Sequence, residues 1–240
     1  MVILIFFLAH WFLSLFFHTV FLHRYASHRM FVMNKFWERV HYLLTLITLG
    51  SSYLVPRAYA VLHRSHHAYS DTAKDPHSPH FFRDVFQMMW NTKKIYADYV
   101  YKRVRPEHRF EGNYPEWDAI DRIGDSWIWR IGMGAAYTLF YIFFATQWWM
   151  FLLLPVHYMM GPIQGAMVNW LGHKYGYANF DNGDRSKNTT PWGIVMLGEL
   201  FQNNHHKFPQ SPRFAKRWFE FDPTYYALVV MSWLRIIRFA

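Results

Sequence analysis

Two stretches of the chain, Met1 to His23 and Ile131 to His173, contain no Asp, Glu, Lys or Arg. Within the first, VILIFFLAHWFLSLFFHTVFL is apolar all round, and its length of about 21 residues is enough to cross the hydrocarbon of a bilayer. It has no basic leader, is long for a signal-peptide core and lacks a small-residue cleavage site before Arg24. A retained membrane helix over 2–22 is therefore expected. The second stretch is about twice as long, with a break at Ala145-Thr146-Gln147, and predicts a hairpin of two spans over 126–145 and 148–168. Trp127, Trp129, Trp148 and Trp149 suit interfacial belts. Val40 to Pro56 is apolar but only about 17 residues long, with Gly50, Ser51 and Ser52 near its end. Arg39 and Arg57 flank it, which favours one membrane side for both ends, so 40–56 is predicted to dip in and return or to lie buried against other helices. Tyr225 to Ile237 reads as an interfacial helix. Polar residues concentrate in Arg57 to Arg130 and Lys174 to Arg238, and Lys102 to Tyr114 reads as a solvated, partly irregular stretch.

The fold class expected is all-α: one integral membrane helical bundle over 1–240, with three full spans and one partial or re-entrant segment. The N-terminus would lie outside. Residues 57–125 and 169–240 would form a helical cytoplasmic cap. Composition sharpens this picture. Aromatic residues reach 21%, and the formal charge of +9 fits a cytoplasmic membrane surface or an anionic substrate head group. The basic residues flank apolar spans and form no long run, which argues against nucleic acid. With no cysteine, disulfides, thiolate metal sites and cysteine nucleophiles are excluded.

The chain has 15 histidines, and they cluster. HRSHH puts His63, His66 and His67 at i, i+3 and i+4 of a helix, on one face. QNNHH repeats the spacing with Gln202, His205 and His206, and Asn169 and His173 are i, i+4 partners. HRYASH supplies His23 and His28. Five residues is an awkward step, roughly 140° around an α-helix, so two ions taking one ring each is the expectation there. Neighbours such as His66-His67 and His205-His206 diverge by about 100° and can straddle two ions. Eight imidazoles would serve two ions at about four each. Neutral imidazole suits iron, copper, zinc and nickel. Asp71, Asp75 and Glu199 lie close to the boxes and are expected to accept from the non-ligating ring N–H groups.

Other histidines have plainer roles. His10, His41 and His157 read as packed, hydrogen-bonded side chains within apolar segments, and His18 is set aside with them. His77, His80 and His108 read as loop residues or outer partners of the ligands. A surface zinc site would account for HRSHH alone, but not for four boxes with matching spacing on one membrane side.

HRYASH, HRSHH followed by SDTAKDPHS, then NWLGH, then GELFQNNHHKFP resembles the membrane-bound fatty acid desaturases, most closely the acyl-CoA (stearoyl-CoA type) branch and its bacterial relatives. The resemblance covers almost the whole chain. It implies a di-iron, O2-dependent enzyme that introduces a cis double bond into a long-chain acyl thioester, of the Δ9 type on acyl-CoA. His23, His28, His63, His66, His67, His173, His205 and His206 would hold two irons, with Asn169 acting through a water. The family's last box is HxxHH, and Gln202 stands at its first position. That departure leaves the coordination of one iron open. The family also has a further span before the first box, which here would put the N-terminus outside.

The acyl chain needs a narrow apolar channel. Trp11, Leu15 and Thr19 occupy successive turns below His23 and are expected to wall it, with Trp11 and Leu15 setting its depth. Arg57, Arg64, Lys93, Lys94 and Arg130 are candidate contacts for the head group of coenzyme A or acyl carrier protein. No cytochrome b5-like heme motif is present, so a separate ferredoxin or cytochrome b5 would deliver electrons. Rival readings are a sister oxidation on the same scaffold (hydroxylation, decarboxylation or triple-bond formation), a metal transporter and a non-redox metal-binding membrane protein.

Overall fold

A computed structural model describes all 240 residues. Its first element, α1 (Val2–Ser27), starts as an α-helix and passes into a π-helix from His18 onward. One side, with Ile3, His10, Ser14, Leu15 and Phe17, packs inward, while Leu4, Ile5, Leu8 and Leu13 stay exposed. The second helix, α2 (Lys35–Leu49), is capped by the Asn34 side chain, which accepts from the Trp37 N–H at 3.0 Å. At about 1.5 Å per residue it is too short to cross the hydrocarbon. It ends in a tight turn at Gly50–Ser52, and Pro56 opens α3 (Pro56–Tyr69). Gly50 has a φ of +52° and lies against the Tyr137 side chain, so only a residue without Cβ fits this turn.

Next come α4 (Val85–Val100), α5 (Asp118–Asp125) and α6 (Trp127–Phe144). Arg130 of α6 clamps the Gly50 turn by donating to the carbonyls of Ser51 (2.8 Å) and Tyr53 (3.1 Å) and to Asp125 (3.0 Å). After the break at Ala145–Gln147, α7 (Trp148–Tyr158) and α8 (Met160–Lys174) follow, bent by 73° to each other. The segment expected to span over 148–168 is therefore built of two helices. The bend coincides with Gly161, whose backbone approaches Ser52 so closely that a Cβ would lie 3.1 Å from the Ser52 Cβ. Ser51 and Ser52 also donate to the Tyr158 carbonyl at 3.2 Å. By length and composition α1 can cross a membrane, and the bent pair is a second candidate. The α6 helix, 18 residues with Arg130 in its first turn, does not join them, although Ile128, Ile131, Leu139, Ile142 and Phe143 give it an exposed apolar face.

The remaining chain forms the short helix α9 (Gln202–Lys207) and α10 (Pro223–Trp233), whose N-cap is Asp222. A two-residue antiparallel pairing of Phe31–Val32 (β1) with Arg238–Phe239 (β2) returns the end of the chain to the end of α1. The buried polar groups gather where α1, α3, α8 and α9 meet.

Candidate metal centre

The π-helical part of α1 decides where its two histidines go. In a π-helix the backbone closes i→i+5, seen here as the 3.2 Å bond from the His28 N–H to the His23 carbonyl. Residues five apart then stack along the helix. His23 and His28 consequently enter one group, with His63 and His67 of α3 and His205 of α9, and their ligand atoms lie within 4.8 Å of one another. The Nε2 atoms face each other: His23 to His205 at 2.9 Å, His28 to His63 at 2.7 Å, His63 to His67 at 3.1 Å and His67 to His205 at 3.0 Å. Five converging imidazole nitrogens cannot all be satisfied by hydrogen bonds among themselves, whereas a cation would engage every lone pair. Burial first, and then like rings around them, hold His63, His67 and His205 well below the ordinary imidazole range, so they are neutral and suited to ligation.

A second group joins His66 of α3, His173 of α8 and His206 of α9. Each Nε2 here is buried and without a hydrogen-bond partner. Each Nδ1 donates to a carboxylate: His66 to Asp75 (2.9 and 3.0 Å), His173 to Asp71 (2.9 Å) and His206 to Asp184 (2.6 Å). That pairing fixes the tautomer and points three lone pairs at one spot, the arrangement a transition metal needs. The carboxylates are ionised. Burial pushes Asp71 up, but the His173 and Ser78 hydrogen bonds outweigh it and hold it at about 2. Asp75 and Asp184 are likewise held far below the usual carboxylate range, by His66 and His206 respectively, against the opposing effect of burial.

In the five-histidine group the one carboxylate contact is Glu199, which accepts from His23 Nδ1 at 2.6 Å. Burial raises Glu199, yet His23, Arg24 and the Thr19 hydroxyl bring it down to about 2. Arg24, fully buried, also pairs with Asp222 at 3.1 Å and stacks on Phe214.

Several placements differ from the sequence reading. The eight rings divide five and three rather than four and four, and His23 and His28 share a group because α1 is not α-helical at that point. The neighbours His66-His67 and His205-His206 do straddle the two groups. Thr19, expected on the channel wall, donates its hydroxyl to Glu199 and accepts from Arg24. Trp11 donates its indole N–H to the Val195 carbonyl at 3.0 Å, and Leu15 is buried with Met196 and Leu200, so this face of α1 meets the segment that carries Glu199. Asn169 is half-buried on a π-turn of α8, Met167–Leu171. Gln202 is buried, and its amide nitrogen donates to the Glu199 carbonyl at 2.6 Å.

Sequence reasoning missed Asp184 as the partner of His206. It also missed Asn203 and Asn204, which anchor α9 by donating to the carbonyls of Phe180 (2.9 Å) and Phe214 (2.9 Å). Being buried Asn residues between ligand-type positions was their only signal.

Of the cationic candidates, Arg64 donates to the carbonyls of Ala26, Ser27, Phe110 and Gly112 at 2.8–3.0 Å, and Arg57 to that of Tyr99. With Arg130 already clamping the Gly50 turn, these three guanidinium groups are engaged in holding the backbone. Lys93 and Lys94 are exposed beside Trp90. A cleft of about 540 Å³, bordered by Arg29, Arg64 and Arg109, reaches His28 and His67.

The chain also resembles known sequences. The chain is similar to an acyl-CoA 5-desaturase of Anemone leveillei, 29% identical over 220 residues, covering 88% of this chain and 63% of the relative. An sn-1 stearoyl-lipid 9-desaturase of Anabaena variabilis is 28% identical over 211 residues, covering 87% and 72%. A hex-5-enoyl-[acyl-carrier protein] acetylenase of Moorena producens (strain JHB) is 27% identical over 241 residues, covering 90% and 69%. The chain thus spans just under two thirds of the length of the Anemone relatives, 63% and 64%. The sequence model of the fatty acid desaturase family matches residues 1–230, and the chain belongs to that family.

Proposed function

We propose that the protein is an O2-dependent di-iron desaturase that removes two hydrogens from neighbouring methylenes of a long-chain acyl thioester. The observation that carries this reading is the pair of adjoining imidazole groups, five rings and three, fed by neighbouring residues of α3 and α9. His23, His28, His63, His67 and His205 would hold one iron. His66, His173 and His206 would hold the other, with Asn169 through a water and Gln202 as a weak oxygen donor. The irons supply the redox chemistry and O2 activation that an unactivated C–H bond demands and that no side-chain acid or base provides.

The chain's own residues do the rest. Asp71, Asp75, Asp184 and Glu199 hold the ligand rings in one tautomer. Burial of His23, His28, His63, His66, His173 and His205 limits the access of water to the reacting centre. The apolar α1, with Trp11 and Leu15, guides the acyl tail, and the cleft beside Arg29, Arg64 and Arg109 receives an anionic head group, either coenzyme A or acyl carrier protein. Electrons come from a separate ferredoxin or cytochrome b5. The spans would form a multi-pass bundle with both ions on the cytoplasmic side, in keeping with the charge of +9.

Relatives named for acyl-CoA, acyl-lipid and acyl-carrier substrates support a fatty acyl substrate, and the Δ9 acyl-CoA assignment rests on the resemblance of the boxes. The acetylenase among them keeps triple-bond formation as the second reading.

Expression in a host of known lipid composition, followed by mass spectrometry of its acyl chains, tests the proposal. Wild type should add a new cis-unsaturated chain, and His66→Ala should return the profile to background. Purified wild type should carry about two irons per chain and consume O2. A new alkyne would favour the second reading. An unchanged profile together with zinc in place of iron would overturn both.

A further inference from the structure

We propose that the turn from Trp192 to Leu200 dips into the bilayer beside α1 and meets lipid hydrocarbon with Trp192, Ile194 and Val195; the inference rests on the reading of α1 as a membrane span. The turn joins α1 well inside its apolar run. The Trp11 indole N–H donates to the Val195 carbonyl at 3.0 Å, and Met196 and Leu200 are buried with Leu15. Trp11 lies 9 positions after Val2 and 11 before Leu22, about 14 Å and about 17 Å along the helix at about 1.5 Å per residue. The depth that α1 reaches at Trp11 is therefore shared by Val195.

The side chains of the turn suit that surrounding. Trp192, Ile194 and Val195 are 69%, 54% and 56% exposed, and no Asp, Glu, Lys or Arg occurs from Thr189 to Gly198. The apolar surface continues onto α10. Gly193 N–H donates to the Phe221 carbonyl at 2.9 Å, Tyr226 stacks on Phe221 with ring centroids 5.5 Å apart, and Tyr226, Val230 and Trp233 are exposed at i, i+4 and i+7. A continuous exposed apolar surface marks a membrane or protein contact, and its junction with α1 selects the membrane.

The backbone fits as well. Each carbonyl from Gly193 to Leu200 accepts a hydrogen bond, five from backbone N–H groups and three from the side chains of Trp11, Thr224 and Gln202. Irregular backbone at membrane depth needs such partners from the protein, because hydrocarbon offers none. The inner end of the turn carries Glu199, so its seat in lipid also steadies the carboxylate behind His23.

The chain has no cysteine, so single replacements can each carry one spin label. Ile194→Cys, Leu8→Cys on the exposed face of α1 and Arg185→Cys in the polar stretch before the turn are labelled in phosphatidylcholine nanodiscs. Collision with O2, which enters hydrocarbon, is compared with collision with a water-soluble nickel chelate. Relaxation by the chelate should be lost at Ile194 and Leu8, with O2 relaxation kept, and Arg185 should respond to the chelate. Chelate access at Ile194 with Leu8 still in lipid would overturn the proposal and leave the span intact. Shielding of Ile194 from both agents would mean that protein, such as a second copy of the chain, covers the turn, and would overturn it too. Chelate access at Leu8 would remove the span and the proposal with it. Val195→Cys, on the same exposed turn, gives the reading should Ile194→Cys misfold.

Discussion

At the residue scale, the carboxylates behind the rings are the part most open to test. His206 Nδ1 donates to Asp184 at 2.6 Å, and removing such a partner of a ligand histidine typically weakens metal affinity 10–100-fold. Asp184→Asn is therefore expected to weaken binding by the three-histidine group by roughly that factor and to leave the five-histidine group unchanged, because that group's carboxylate is Glu199. Competition against a chromophoric chelator would show one weakened site and one intact site. Equal weakening of both would mean that Asp184 acts on the fold rather than on His206.

The same residues mark what the sequence could tell. Asp75 follows HRSHH within one loop and orients His66 nine positions back, so short reach made it readable, whereas Asp71 of the same loop serves His173, 102 positions on. Asp184 is 22 residues before its partner in an irregular stretch, and no periodicity links the two. The His23–His28 step was misjudged because an α-helical 100° per residue was assumed where the chain is π-helical.

At the scale of elements, a buried relay joins four segments. The Tyr141 hydroxyl on α6 faces His157 Nε2 on α7 at 2.9 Å, His157 Nδ1 faces His10 Nδ1 on α1 at 2.6 Å, and His10 Nε2 faces the Thr48 carbonyl on α2 at 3.1 Å. A carbonyl only accepts, so His10 carries its proton on Nε2. His10 Nδ1 then accepts from His157 Nδ1–H, and His157 Nε2 accepts from Tyr141. Every polar atom is satisfied with neutral rings. Tyr141→Phe would leave His157 Nε2 without a donor, at a cost of about 1–3 kcal/mol. At about 2–4 °C per kcal/mol for a chain of this size, unfolding should come roughly 2–12 °C earlier. Thermal unfolding in detergent would show it, and an unchanged midpoint would mean that the relay contributes nothing to holding the helices together. The apolar pattern revealed α1 and the break after Phe144, both visible as changes in composition. Hydropathy runs unbroken through the 73° bend at Met159, so the apolar pattern did not reveal it; the signal was Gly161-Pro162, because Pro162 has no N–H for the Tyr158 carbonyl, which accepts from Ser51 and Ser52 instead.

At the scale of the molecule, the two groups fasten together parts of the chain that sequence keeps far apart. His23 meets His205 across 182 positions, and the smaller group ties α3 to α8 and α9. An ion that binds this assembled arrangement and not the unfolded chain stabilises the fold by RT ln(1 + [L]/Kd), about 2.7 kcal/mol per site at a hundred-fold excess over Kd. For a chain of this size that is about 5–10 °C per site. Metal-loaded protein should therefore unfold well above chelator-treated protein. His66→Ala, which disables only the smaller group, should keep about half of the difference, because the five-histidine group still closes α1 onto α3 and α9. If loaded and chelated protein unfolded at the same temperature, the imidazoles would have to be held in place by the helices alone, and the ions would be passengers in a site the fold completes without them.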